Sequence, residues 1–126
     1  MPVIQIKSLP FAEPKDLGKL VEAVSADFAR DAEIALKYVS VTWELLPPHS
    51  YAVAAVTQPT QPRASHPVLV NLLTPDFNTN DQITTMIESL AQAIARHAGI
   101  RVENIFIAQQ PAKSGRIFDS GKIVRW

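Results

Sequence analysis

PVIQI at residues 2–6 and PVLVN at residues 67–71 are two versions of one pattern, and that repetition decides the fold. Each is a short apolar run carrying β-branched residues behind a proline, which marks a strand. A second proline follows each run at the same distance, Pro10 and Pro75. A polar stretch and a helical pattern then follow in both halves. The first pattern places Leu17, Leu20, Val21, Val24 and Phe28 on one face, with Pro14 fitting the first helical turn. The second places Ile83, Met86, Ile87, Leu90 and Ile94 on one face. Thr79 and Gln82 form a capping-box signature at its start, and Gly99 suits its end.

Another strand follows each helix. Val39, Val41, Trp43 and Leu45 alternate with polar partners, and Ile105 and Ile107 hold the corresponding places in the second half. The chain therefore reads β-α-β twice, as pseudo-repeats over about 1–46 and 67–110 within a single domain, 1–126. Each unit predicts a parallel strand pair with a right-handed crossover. The fold class is α+β, a four-stranded sheet with two helices on one face. Between the repeats, residues 51–56 read either as a short edge strand or as plain connecting loop. The last segment, SGRIFDSGKIVRW, reads as a hairpin turning at Asp119-Ser120-Gly121, with residues 122–126 offering an apolar edge.

Two helices cover one sheet face. Val68, Val70 and Leu72 point one way and Leu69 and Leu73 the other, so the second face needs a partner and oligomer formation is expected.

Composition narrows the chemistry. Twelve basic and twelve acidic residues cancel, which argues against a general nucleic-acid or anionic-membrane binder. With no cysteine there is no disulfide or thiolate chemistry. No apolar run reaches the length of a membrane span, and the first ten residues lack a signal-peptide layout, so a cytoplasmic protein is expected. His49, His66 and His97 share no metal-ligand spacing, and no glycine-rich phosphate loop occurs. His97 falls near a helix C-terminus, where it complements the dipole.

Pro2 carries the chemical interest. If Met1 is removed, its nitrogen becomes a secondary amine in a rigid ring, with a pKa near the α-amino value of roughly 8. An apolar pocket lowers that value by disfavouring the cation, giving a base suited to proton abstraction beside a carbonyl. A carboxylate substrate would need a cation nearby. Arg116, in a glycine-containing loop, is the first candidate, then Lys7 at the end of the Pro2 strand, then Lys37. Tyr38, Trp43, Phe106 and Phe118 could wall the pocket, and Tyr38 could also donate to a developing oxyanion.

With Pro2 behind Met1, tandem β-α-β units and this length, the chain resembles the tautomerase superfamily, which includes 4-oxalocrotonate tautomerase and macrophage migration inhibitory factor. Its final Phe-Asp-Ser-Gly hairpin looks more like an uncharacterised bacterial branch. The resemblance implies a trimer with pockets between subunits, and a mature N-terminal proline acting as base and then acid. It implies an isomerase moving a proton across a keto-enol system, cations holding the substrate carboxylate, and neither metal nor organic cofactor. The chain departs from the cytokine-like members at Phe106 and Ala108, which are apolar where those members carry polar pocket residues. That departure favours an alternative: a non-catalytic trimeric binding or assembly protein that keeps the fold.

Overall fold

The computed structural model describes residues 1–126. Four strands, β1 (Val3–Ser8), β2 (Ser40–Leu45), β5 (Val68–Pro75) and β6 (Ile105–Ala112), form one mixed sheet in the order β2-β1-β5-β6. β1 runs parallel to β2, and β5 parallel to β6, as two β-α-β crossovers require. The repeats join antiparallel, Val3 beside Leu73 and Lys7 beside Leu69. Helices α1 (Leu17–Asp31) and α2 (Asn80–Ala98) cover one face.

The core follows from the two periodicities. Ile4 and Ile6 of β1, and Val68, Val70 and Leu72 of β5, are buried under Leu20, Val24 and Phe28 of α1 and Met86, Leu90 and Ile94 of α2. Trp43 closes the β2 side and donates its indole N–H to Ser8 Oγ at 3.0 Å. The opposite face carries Val3, Leu69, Leu73 and Phe106, but also Gln5, Lys7, Thr42 and Asn71. The alternation of β1 gives a polar outer row, so this face is less apolar than the sequence implies.

Helix ends show where local chemistry decides. α1 starts later than Pro14 because Asp16 is the cap, its carboxylate accepting from Lys19 N at 3.1 Å. α2 has the full capping box: Thr79 Oγ1 accepts from Gln82 N and Gln82 Oε1 accepts from Thr79 N. Gly99 ends it in left-handed conformation at φ 67°. Thr79→Ala should therefore cost about 1 kcal/mol, measured as a lower midpoint in urea with unchanged slope.

Helix–helix packing is pinned by one carboxylate. Asp27 of α1 accepts from Arg96 and, at 2.7 Å, from His97 Nε2, both on α2. The His97 hydrogen bond holds the Asp27 carboxyl below its usual range, and Arg96 adds to it. His97 is thus an interhelical partner and not simply a complement to the helix dipole.

Residues 51–56 are neither an edge strand of the main sheet nor plain loop, but most of a small separate hairpin. Ala52–Val53 (β3) and Val56–Thr57 (β4) pair across a two-residue turn in which Ala54 and Ala55 have φ of 50° and 63°. Buried Gln61 anchors the stretch that follows: its carbonyl accepts from Leu9 N, and its amide donates to Pro62 O and His66 O. The C-terminal hairpin, β7 (Ile117–Asp119) and β8 (Lys122–Val124), pairs only with itself. Residues 122–126 therefore add no strand to this chain's main sheet. Trp126 ties the hairpin back, donating from its indole to Asp76 at 2.8 Å and meeting the Phe77 ring edge-on at 5.8 Å.

Candidate functional site

Pro2 lies at the end of β1, where three structural features meet. Its carbonyl accepts from Ser40 N at 3.1 Å, which fixes it against β2. One step beyond the Val3–Leu73 pair, it stands beside Thr74 of β5, whose side chain is fully buried and accepts from Gln109 Nε2 at 2.9 Å. Pro2 itself is fully buried. Its even-numbered position puts its ring on the helix side with Ile4 and Ile6.

Two cavities meet at this strand end. One, of about 560 Å³, is lined by Met1, Lys37, Tyr38, Ser40, Phe118 and Asp119 and opens toward the helix-free face. The other, of about 260 Å³, includes Met1, Pro2, Glu33, Tyr38, Thr74 and Phe77 and lies on the helix side. Met1 and Tyr38 border both, so they form the partition. Burial lowers the Met1 amine from its ordinary value, against the opposing pull of the Asp119 carboxylate.

The structure separates the sequence candidates. Lys37, Tyr38 and Phe118 border the same cavity, with the Lys37 ammonium 5.1 Å from the Tyr38 ring centre. Arg116 does not line it. Its backbone N–H is held by Lys113 O in the loop before β7, and its side chain is exposed. Lys7 sits at the far end of β1, five residues or about 16 Å from Pro2, facing Glu44. Phe106 pairs with Leu69, which pairs with Lys7, so it too occupies the far end, on the helix-free face. Within one chain, Arg116, Lys7 and Phe106 therefore stand apart from Pro2.

Other residues at the site carry no sequence motif. Glu33 follows α1 at φ 56°, a left-handed position usually given to glycine, and it borders the Pro2 cavity while remaining exposed. Thr74 is found only through the antiparallel β1–β5 register. Phe77 is found only through its contact with the C-terminal Trp126.

No family model matches the chain, and no curated protein matches it by sequence. Solved structures do. A fused 4-OT, described as an asymmetric trimer, superposes with a TM-score of 0.80 at 13% identity, covering 97% of this chain and 95% of that one. N1, a member of the cis-3-chloroacrylic acid dehalogenase family, gives 0.75 at 16% identity, covering 98% and 83%. A macrophage migration inhibitory factor from Toxoplasma gondii gives 0.70 at 15%, covering 96% and 98%. The chain has the fold of the tautomerase superfamily. No helix is long and apolar enough to cross a membrane.

Proposed function

We propose that this chain, once Met1 is removed, is a homotrimeric tautomerase that moves a proton within a small carbonyl acid, using the Pro2 nitrogen as base. The observation that carries this is the position of Pro2: fully buried at the start of β1 and bordering a cavity. The fold shared with 4-OT and the dehalogenase-family protein supports the general class, and the trimeric 4-OT neighbour supports the assembly.

In the enol-to-keto direction the neutral Pro2 amine takes the enol hydroxyl proton. The O–H bond breaks and its electrons form the carbonyl, while the C=C electrons reach toward carbon. The ring ammonium then delivers the proton to that carbon, and the amine is regenerated with no net change. Tyr38 borders both cavities, which supports a role for it as donor to the oxygen while that oxygen carries negative charge. Lys37 takes the role of carboxylate holder, because it is the candidate cation that borders the cavity beside Met1. Phe118 forms an apolar wall.

Lys37→Ala should raise KM by about fivefold to tenfold and change kcat little, since an interaction equal in ground and transition states affects binding alone. An unchanged KM would remove Lys37 from the role. The reading as a whole is tested by the intact mass of the natively expressed protein, which reports whether Met1 is gone, and by the rate of the Pro2→Ala variant. A second reading, a trimeric binding protein without catalysis, draws on Phe106, which is 59% exposed on the helix-free face. It requires that Pro2→Ala leave every rate unchanged.

A further inference from the structure

The C-terminal hairpin supplies one wall of the larger cavity, which Ile117, Phe118, Asp119 and Ser120 border together with Met1 and Lys37. Little holds the hairpin there. β7 and β8 pair with each other and with no strand of the main sheet. The backbone bonds at its base, Gly115 N to Val124 O and Arg116 N to Lys113 O, are internal to residues 113–126. Phe118 is 70% exposed, so it is not anchored in the core. None of the charged side chains of this segment enters an ion pair. A two-stranded ribbon of three residues a side is marginal by itself.

What remains is Trp126. Its indole N–H donates to Asp76 Oδ1 at 2.8 Å, and its ring meets Phe77 edge-on at 5.8 Å. These are the one hydrogen bond and the one aromatic contact between residues 113–126 and the rest of the chain. The Trp126 backbone N–H donates to Ser114 Oγ at 2.9 Å, which closes the base of the hairpin onto the same residue. The receiving segment is itself fixed. Asp76 N donates to Ala112 O at 2.9 Å, and Asn78 Nδ2 donates to Pro75 O at 2.8 Å. Phe77 also borders the smaller cavity beside Pro2. One side chain thus joins a wall of the larger cavity to a wall of the smaller one.

We infer that Trp126 is a positioning residue: it latches the hairpin to Asp76 and Phe77 and so holds Phe118 as the apolar wall of the substrate cavity. This rests on the proposed use of that cavity for a carbonyl acid. Trp126 borders neither cavity, so its effect passes through Phe118. With the latch released, the hairpin swings on the loop 113–116, where Gly115 takes a φ of 80°, and the cavity loses that wall.

The test uses full-chain protein lacking Met1, with phenylpyruvate as ligand. In Trp126→Ala, amide hydrogen exchange over residues 117–124 should quicken by about tenfold or more, while β1 and β5 keep the parent's rates. The calorimetric Kd should weaken by about fivefold to tenfold. Phe118→Ala should weaken it as much, and the double variant should bind no worse than either single one, because both changes remove one wall. Asp76→Asn keeps an acceptor oxygen and should match the parent, whereas Asp76→Leu should lie between the parent and Trp126→Ala. Unchanged exchange, additive losses from Trp126→Ala and Phe118→Ala, Asp76→Leu as tight as the parent, or a parent that binds no phenylpyruvate would overturn the inference. So would a changed mass of Trp126→Ala in light scattering, which would assign Trp126 to a subunit contact instead. Turnover of enolised phenylpyruvate, followed in parallel, reports on Pro2 separately. A working latch without turnover sinks the catalytic reading alone, and an active enzyme indifferent to Trp126→Ala sinks the latch alone.

Discussion

Protein freed of Met1 should ketonise enolised phenylpyruvate or a small 2-hydroxydienoate, and Pro2→Ala should slow that reaction by about 10²-fold or more. Alanine at this position still offers an amine, so the loss measures what the ring supplies. A pyrrolidine nitrogen is held in one direction by its own ring, by the Pro2 carbonyl bond to Ser40 N and by burial at the strand end. A primary amine on a freely rotating terminus loses that orientation, and orientation is a large part of what a positioned base contributes. Chain that keeps Met1 should be slower still, because the Pro2 nitrogen is then an amide and the free amine lies one residue away. The pH profile carries a second signature. The base works when neutral, so the rate rises with pH through its pKa. Pro2 is fully buried, and burial disfavours a charged amine, so the acidic limb of kcat/KM should lie below the ordinary α-amino value of roughly 8. Equal rates for Pro2→Ala and the processed parent would leave only the non-catalytic reading.

Much of the scaffold is legible because its signals are local. Thr79, Gln82 and Gly99 punctuate α2 by their own side chains and backbone freedom, and all three act as the sequence suggests. The paired prolines and the alternation of Val39, Val41 and Trp43 give two β-α-β units without knowledge of the other half. Less is legible where the outcome depends on position along an element. Alternation puts Lys7 on the outer face of β1 but does not say that five residues of extended chain carry it about 16 Å from Pro2. Arg116 adjoins Ile117, which borders the cavity, yet Arg116 itself does not border it and is exposed. The β3–β4 hairpin turns at Ala54-Ala55, with neither Asn nor Gly to announce a left-handed pair. Glu33 is hidden for the same reason: it occupies the left-handed place after α1 where glycine would have marked the helix end. Thr74 requires the antiparallel meeting of the two repeats, a tertiary fact that neither repeat encodes alone.

The helix-free face leads to the remaining large effect. Val3, Leu69, Leu73 and Phe106 leave apolar surface there, and full burial of a half-exposed side chain of this kind is worth on the order of 1 kcal/mol. Four per copy, repeated around a closed ring, can exceed the cost of association, whereas one copy alone leaves that surface wet. Gln5, Thr42, Asn71 and Gln110 share the face, so the contact must also pair amides and hydroxyls, which favours one register over a sliding apolar contact. Light scattering at micromolar concentration should give three times the chain mass of 13.9 kDa. Phe106→Asp should collapse that to the mass of one chain with an unchanged far-ultraviolet spectrum, because the side chain is 59% exposed and contributes little to the monomer's core. A buried unpaired carboxylate at an interface costs far more than the lost ring contact alone. The larger cavity, bordered by Lys37, opens toward this same face, so the Phe106→Asp monomer should also lose affinity for a carboxylate ligand although no residue bordering that cavity has changed. A Phe106→Asp protein that remains trimeric would move the interface elsewhere, and a parent protein that runs as a monomer would remove both the assembly and the shared pocket built on it.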